Sequence, residues 1–227
     1  MASSQHDLFE EILARLQGAG VLGKFILVGS WCLPVYQEYY GDRDGIPVLR
    51  TNDLDLLVSD PTHVKNAADV SAILCGLGFE PLHDLATGLS KYEHRSLEVE
   101  FLAARSRSME RVLRIPKLNI EAQVLSYMEI AERHAINANY KGFVVRVPEI
   151  AAFVLHKAIV QTLRSTEAKQ EKDAATVRSL GEVVVSRDDM RKRIIDIFAE
   201  FTPKWKRIVL GMVEVHSPVL YSLLREI

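Results

Sequence analysis

Two short motifs constrain this chain most: a Gly29-Ser30 pair that ends one apolar run, and two aspartates, Asp53 and Asp55, in a later run. Side chains two positions apart on a strand project from the same face, so the two carboxylates are expected to lie side by side. Neighbouring carboxylates repel each other, and folding alone gives little reason for this arrangement. A divalent cation removes the repulsion, and Mg²⁺ favours a few carboxylates together with substrate phosphates. The motifs therefore predict a metal and nucleotide site.

The Gly29-Ser30 pair supplies the phosphate-binding half of that site. It follows Phe25–Val28, which we interpret as a short buried strand, and precedes a helix predicted over residues 30 to about 40. A turn that opens a helix leaves backbone N–H groups without helical partners, and these groups bind phosphates. Ser30 is also well placed to cap that helix. A Gly-Ser pair is common in proteins, so this interpretation depends on the aspartates that follow.

The composition indicates a substantial hydrophobic core and no strongly basic surface. Hydrophobic residues make up 48% and charged residues 26% of the 227 residues, and the formal net charge is -2. Cys32 and Cys75 show no zinc-ligand or redox spacing, which indicates two reduced, buried thiols. The N-terminus lacks the features of a signal peptide, and every apolar run is shorter than a membrane span. We therefore expect a cytoplasmic protein with no membrane partner.

Strand and helix patterns alternate in the first part of the chain, which is typical of an α/β (α+β) fold with a mixed sheet and flanking helices. Strands are predicted at residues 24–28, 54–58, 79–83, 89–94 and 97–103, with a hairpin over 136–148. Helices are predicted at residues 7–17, from 61 to about 76, and at 149–164, 167–183, 187–200 and 203–213. The sequence thus predicts a mixed α/β domain over residues 1–148 and a helical C-terminal domain over residues 149–227.

A third acid is predicted on the strand that contains Glu98 and Glu100. Both glutamates lie on one face of this strand, and Val99 and Phe101 lie on the other. If the strand pairs beside the two aspartates, one glutamate completes a three-carboxylate cluster that would hold two metal ions. The alternative is an edge strand with a solvated acidic face. We favour that alternative for Glu98 and the metal-ligand interpretation for Glu100, and the choice between them stays open.

Together these residues resemble the nucleotidyltransferase (polymerase-β-like) superfamily, whose pattern is Gly-Ser, then Asp-x-Asp or Asp-x-Glu, then a third acid on a neighbouring strand. Within it, the chain is most similar to bacterial stand-alone nucleotidyltransferase-fold proteins and abortive-infection-type toxin nucleotidyltransferases. That similarity lies in three segments: Arg50-Thr-Asn-Asp-Leu-Asp55, Leu155-His-Lys157 and Lys172-Asp173. The chain departs from the pattern at Glu100, where the superfamily usually has aspartate, and after Asp173, where a further polar residue is missing.

The resemblance implies an enzyme that transfers a nucleoside monophosphate from an NTP to a hydroxyl acceptor and releases pyrophosphate, with Mg²⁺ or Mn²⁺ as cofactor. It assigns catalysis and metal binding to Asp53, Asp55 and Glu100, with Glu100 helping to activate the incoming hydroxyl. It assigns nucleotide binding to five residues: Gly29, Ser30, Arg50, Lys157 and Lys172.

The three basic residues in this set have second interpretations. Arg50 either binds a phosphate or neutralises the carboxylates. Lys157 lies on an apolar helix face and needs a phosphate or a carboxylate as partner, unless it extends from the helix edge into water. Lys172 lies in a charge-rich segment, where a solvated helix face is the usual arrangement.

Two classes of function are compatible with these residues. The first is the enzyme, whose acceptor is a small molecule, a protein or an RNA end. The second is a non-catalytic nucleotide-binding regulatory module, or a toxin–antitoxin component with an antitoxin partner, that keeps the same fold. Basic clusters at residues 105–107, 111–117, 191–193 and 204–207 are interpreted as solvated surface. The enzyme is favoured because all three acids occupy compatible positions.

Overall fold

The computed structural model describes residues 4–42, 45–47, 51–84, 89–105 and 110–227. The chain forms two compact units, Met1–Val35 with Leu49–Val147, and Tyr36–Val48 with Pro148–Ile227. The first unit contains a mixed β-sheet with flanking helices, and the second is helical. The mixed sheet and the helical C-terminal region predicted from the sequence are confirmed. The second unit also takes in residues 36–48, which the sequence placed in the first domain.

The described residues form nine strands and nine α-helices. The strands are β1 (Phe25–Val28), β2 (Asp53–Val58), β3 (Glu80–Asp84), β4 (Leu89–Glu93), β5 (Glu98–Ala104), β6 (Val112–Ile115), β7 (Ile120–Leu125), β8 (Ala135–Tyr140) and β9 (Phe143–Pro148). The helices are α1 (Gln5–Gly18), α2 (Cys32–Tyr39), α3 (Val70–Gly76), α4 (Met128–Arg133), α5 (Ile150–Val160), α6 (Glu167–Ser186), α7 (Asp188–Ala199), α8 (Pro203–His216) and α9 (Pro218–Leu224).

The helix predicted from residue 61 to about 76 was wrong in its first half. A 3₁₀ turn occupies Pro61–His63, and α3 begins only at Val70, with Asp69 as its N-cap. The backbone between them bonds to a distant turn, since the N–H of Ala68 donates to the carbonyl of Lys117 at 2.9 Å. Such long-range partners replace the acceptors four residues back that a helix would need.

Strands β6 and β7 and helices α4 and α9 were not predicted. β6 lies within the basic cluster at residues 111–117 and pairs antiparallel with β7. Across this pair, Arg114 lies opposite Glu121 and donates to its carboxylate at 3.1 Å. The Arg114 side chain is 82% exposed, so this part of the cluster is solvated, as expected. The expected burial of both thiols was also wrong for one, because Cys32 is buried and Cys75 is exposed.

The sheet aligns side chains from strands that are distant in sequence. Its order is β3-β4-β5-β2-β1-β9-β8, with β7 also paired to β5 and β6 to β7. β2 runs parallel to β5 and antiparallel to β1. The strand register places five residues in one line across the sheet: Leu82, Lys91, Glu100, Asp55 and Val28. We call this line the cross-strand row.

The two faces of the central strands differ in character. On one face, Leu54 and Leu56 are at most 2% exposed. Because side chains alternate along a strand, the opposite face carries the cross-strand row and, farther along, Leu57 and Leu102. These two leucines pack with Met128 of α4. The face is therefore apolar where it packs with α4 and polar at the cross-strand row.

The helical unit is organised around α5. Every residue of this helix is buried, and it packs against α6, α7 and α8. A helix that is buried on all sides is typical of a protein core. Beside it, the Tyr36 hydroxyl donates to the carbonyl of Pro148 at 2.6 Å, and the Tyr36 ring packs edge-on against Phe153. None of the described helices combines the length and apolar character needed to cross a membrane.

His156 is a polar residue within the α5 core. It is 7% exposed, and its Nε2 atom has no hydrogen-bond partner among the described residues. Burial, reinforced by the charge of Lys157, lowers the pKa of His156 to about 3. The imidazole is therefore neutral in the folded protein at physiological pH.

We expect His156 to make the protein less stable in mild acid. In the unfolded chain its pKa is near 6.5, so below that pH the unfolded state binds a proton that the folded state excludes until about pH 3. The free energy of unfolding therefore falls as the pH drops through this window. His156→Leu should show a smaller fall in melting temperature than wild type between about pH 7 and about pH 5. Exposed His63→Leu is the control, and an unchanged acid response in His156→Leu would contradict a neutral buried imidazole.

Candidate active site

Four carboxylates gather at the start of two paired strands. Asp53 and Asp55 lie in the first half of β2, and Glu98 and Glu100 in the first half of β5. The parallel register places Asp53 opposite Glu98, and Asp55 opposite Glu100. Because paired residues on neighbouring strands project to the same face, all four side chains lie on one side of the sheet. The strand pairing on which the sequence interpretation depended is therefore present.

Gly29 brings the end of β1 against these carboxylates. Val28, the last residue of β1, lies opposite Asp55 in the antiparallel register. Gly29 has a φ of 71°, in the left-handed region that residues with side chains rarely adopt. A Cβ at this position would also overlap Asp55 Oδ2. The backbone conformation favours glycine, and the overlap shows that the turn after β1 lies directly beside Asp55.

Ser30 follows inside a 3₁₀ turn over Gly29–Trp31 that leads into α2. The N-cap position of this turn is Val28, and no side chain caps it, so the expectation that Ser30 caps the helix was wrong. The reason is that the turn starts at Gly29, one residue earlier than the sequence pattern suggested. Ser30 is buried, at 8% exposure, next to the glycine.

Lys91 distinguishes the two glutamates. Its Nζ lies 2.9 Å from Glu98 Oε2 and 2.8 Å from Glu93 Oε1. The hydrogen bonds that Lys91 donates to Glu93 and Glu98 raise the pKa of Lys91, so the ammonium remains charged. Glu98 is therefore already paired with a cation from β4. Sequence reasoning missed Lys91, because its role depends on the pairing of β4 with β5 and no local pattern reports that pairing.

Glu100 is an acid whose surroundings oppose its negative charge. Burial raises its pKa to about 7, and the charges of Asp55, Glu98 and Asp53 contribute to the increase. A carboxylate in such surroundings gains most from a nearby cation. This difference favours Glu100 over Glu98 as the third acid.

Hydrogen bonds fix the backbone beside the acids. The Thr51 hydroxyl accepts from the backbone N–H two residues later, at 3.2 Å. The N–H of Glu98 donates to the carbonyl of Asn52 at 2.6 Å, and Gln5 of α1 donates from Nε2 to Asn52 Oδ1 at 2.7 Å. These bonds connect α1 with the starts of both acidic strands. Arg50, which precedes them in the motif, lies outside the described residues.

The donor atoms fit a hard divalent cation. Asp53, Asp55 and Glu100 offer carboxylate oxygens, which are the ligands that Mg²⁺ prefers. A cation would also offset the burial and the repulsion that together raise the pKa of Glu100. Within the described residues, however, no three such side chains are positioned as they stand to hold one ion. Binding therefore requires the carboxylates to rotate toward a shared point, and their position on one face makes this rotation feasible.

The two lysines assigned to nucleotide binding lie in the helical unit. Lys157 Nζ donates to Asp173 Oδ1, and Arg164 Nε donates to Asp173 Oδ2, each at 2.7 Å. Burial alone would raise the pKa of Asp173, but Lys157 and Arg164 outweigh it and hold that pKa below its usual value. Lys157 thus has a carboxylate partner, and Lys172 lies half-buried beside Asp173 on α6. Nucleotide binding by either lysine stays a prediction.

The chain belongs to a nucleotidyltransferase family, because a family model described as Nucleotidyltransferase matches residues 8–200. The matched range contains the acidic strands, the turn at Gly29 and both lysines. The nucleotidyltransferase resemblance found in the sequence is therefore confirmed. A search of curated protein sequences returned no match.

Several solved structures resemble this chain. An antigenic nucleotidyltransferase-like protein from Paracoccidioides brasiliensis is 16% identical, with a TM-score of 0.53 over 98% of this chain and 94% of that one. The chain in the solution structure of the antibiotic-resistance factor ANT(2'')-Ia is 13% identical to this one, with a TM-score of 0.47 over 86% of this chain and 93% of that chain. Its crystal structure with adenylyl-2''-tobramycin is 16% identical, with a TM-score of 0.41 over 83% and 98%. The first similarity supports the fold.

Replacing Glu100 by glutamine should stabilise the metal-free protein, because the amide removes one repelling charge and keeps the side-chain shape. The folded state holds the Glu100 proton to about pH 7 and the unfolded chain only to about pH 4.5, so wild type loses stability as the pH rises between these values. Above this window, Glu100→Gln should melt higher by roughly 2–4 °C for each kcal/mol relieved.

Glu98→Gln is the matched control for this measurement. Removing the Glu98 charge relieves part of the repulsion on Glu100 but also breaks the ion pair with Lys91, so the gain in stability should be smaller. Equal stabilisation by both substitutions would show that Glu100 does not carry the repulsion.

We expect Asp173→Asn to destabilise the protein by about 3–5 kcal/mol, because it leaves the buried Lys157 ammonium without a matching charge. The measurement is chemical denaturation. Asp196→Asn, which breaks the exposed pair with Lys192 on α7, should cost about 0.5 kcal/mol or less. A small effect at both positions would rule out a structural role for the buried pair.

Proposed function

We propose that this protein transfers a nucleoside monophosphate from an NTP to a hydroxyl acceptor and releases pyrophosphate, with Mg²⁺ or Mn²⁺ as cofactor. The observation that carries the proposal is the strand register, in which Asp55 lies between the turn at Gly29 and the acid Glu100. The backbone that would bind phosphate and the oxygens that would bind a cation are therefore adjacent. Membership of the nucleotidyltransferase family supports this reaction class.

In this proposal the turn after β1 binds the phosphates. The absence of a Cβ at Gly29 lets phosphate oxygens approach the backbone N–H groups closely. Ser30 donates its hydroxyl hydrogen to another phosphate oxygen. Because Gly29 is fixed beside Asp55, bound phosphates would lie next to the acids.

Asp53, Asp55 and Glu100 would hold the cation, which when bound neutralises charge on the triphosphate. Asp53 is exposed, and the other two acids are half-buried, so the group is accessible from solvent. Glu100 accepts the proton of the acceptor hydroxyl at its carboxylate. The residues contribute mainly by positioning the reactants and compensating charge at phosphorus.

The alternative is nucleotide binding without transfer, as in a regulatory module or a toxin–antitoxin component. One observation favours it: in the described part of the chain, the carboxylates as they stand do not form a three-ligand group. Glutamate at position 100 also reaches differently from the usual aspartate. The two functions differ in turnover, which can be measured directly.

Asp55→Asn should lower transfer of label from α-phosphate-labelled NTPs by about a hundredfold or more, because it removes a charge at the centre of the site. The assay supplies cell extract as acceptor and measures labelled product. Glu80→Gln removes an exposed acid from β3 of the same sheet and should retain activity. Saturable NTP binding by wild type without turnover would support the alternative. Equal labelling by wild type and Asp55→Asn would refute the assignment of the acids.

A further inference from the structure

A cavity of about 400 Å³ opens in the first unit beside Glu100. Residues of β3, β4, β5 and β7 line it, among them Leu82, Leu89, Lys91 and Gln123. Its volume lies in the lower part of the range for small-molecule sites, about 300–1,000 Å³. The cavity therefore has room for a metabolite-sized compound.

The position of the cavity relative to the acids indicates which substrate it would take. In the sheet order, β1 lies on one side of β2, and β5, β4 and β3 lie on the other. The turn at Gly29 is thus at one end of the cross-strand row, while Leu82 and Lys91, which line the cavity, are at the other. A nucleotide whose phosphates lie at Gly29 leaves the Glu100 side for the second substrate.

We propose that this cavity is the acceptor site, and that the acceptor is a small hydroxyl compound without phosphate or carboxylate groups. The inference rests on the proposed function and names its second substrate. The acceptor oxygen forms a bond to the α-phosphorus as the bond from that phosphorus to the β-phosphate oxygen breaks. Pyrophosphate leaves with the electron pair, and the hydroxyl proton moves to the Glu100 carboxylate.

The charges of the cavity select against anionic acceptors. An RNA end or a phosphorylated metabolite needs cations that are available to its phosphates. Among the described lining residues, the cationic groups are Lys91 and, when protonated, His83. Lys91 is already held by Glu93 and Glu98 at 2.8 and 2.9 Å. A phosphate would therefore have to compete with two carboxylates for the same ammonium.

The walls of the cavity suit a compound with both apolar and hydrogen-bonding surface. Leu82 is 41% exposed, although it is a large apolar residue, so apolar ligand surface would cover it favourably. The Gln123 amide offers both a donor and an acceptor. Ser90 Oγ donates to Glu121 Oε2 at 2.7 Å and lies 2.7 Å from His83 Nδ1, which gives the cavity an ordered polar wall.

The test uses the full chain, α-phosphate-labelled NTPs and a cell extract separated into macromolecules, anionic small molecules and the remaining small molecules. We expect label to enter the last fraction. Leu82→Trp, which narrows the cavity, and Leu82→Asp, which places a charge on its apolar side, should each lower that transfer by about tenfold or more. Binding of the magnesium–NTP complex should be unchanged in both variants. Val144→Trp, at an exposed apolar position on β9 outside the cavity, should behave as wild type.

The outcomes separate the two proposals. Label in RNA, protein or anionic metabolites overturns this inference and leaves the transfer reaction intact. Transfer at the wild-type level by both Leu82 variants also overturns the acceptor site and leaves the transfer reaction intact. If the tryptophan variant has a lowered melting temperature, the test rests on the aspartate variant. If wild type labels no fraction while it still binds the magnesium–NTP complex, the proposed transfer fails and the acceptor site fails with it.

Discussion

The parallel pairing of β2 with β5 is the constraint on which the rest of the site depends. Its register is fixed from the opposite face, where Leu54, Leu56 and Val99 are at most 2% exposed. A slip of one residue would turn these side chains toward solvent and bury the carboxylates, at a cost of several kcal/mol for each ion. The hydrophobic core thus holds Asp55 and Glu100 together despite their repulsion.

Local patterns were sufficient to predict the acidic strands and the change to a helical region. Alternating polar and apolar residues indicate which strand residues share a face, and apolar residues at helical spacing indicate the helices. They could not decide between Glu98 and Glu100, since the decision depends on Lys91 from a strand that pairs only in the folded sheet. The helix that was wrongly predicted to begin at residue 61 also depends on a partner that is distant in sequence. The backbone N–H of Ala68 bonds to the turn at Lys117, and no local signal marks that partner.

Lys157 illustrates how far a physical argument from sequence extends. Its place on an apolar helix face required a partner, and the structure supplies Asp173, held in turn by Arg164. The requirement followed from the cost of burying a charge. The cost of burial does not identify the partner, because a phosphate and a carboxylate both compensate the charge of a lysine.

The close approach of Gly29 to Asp55 links two positions that are far apart in the chain. While an aspartate occupies position 55, a side chain at position 29 would meet both a steric overlap and an unfavourable backbone conformation. Replacing the glycine would therefore strain the turn and rotate the Asp55 carboxylate away from it. The residue at this turn thus limits the directions in which the carboxylate at position 55 can face.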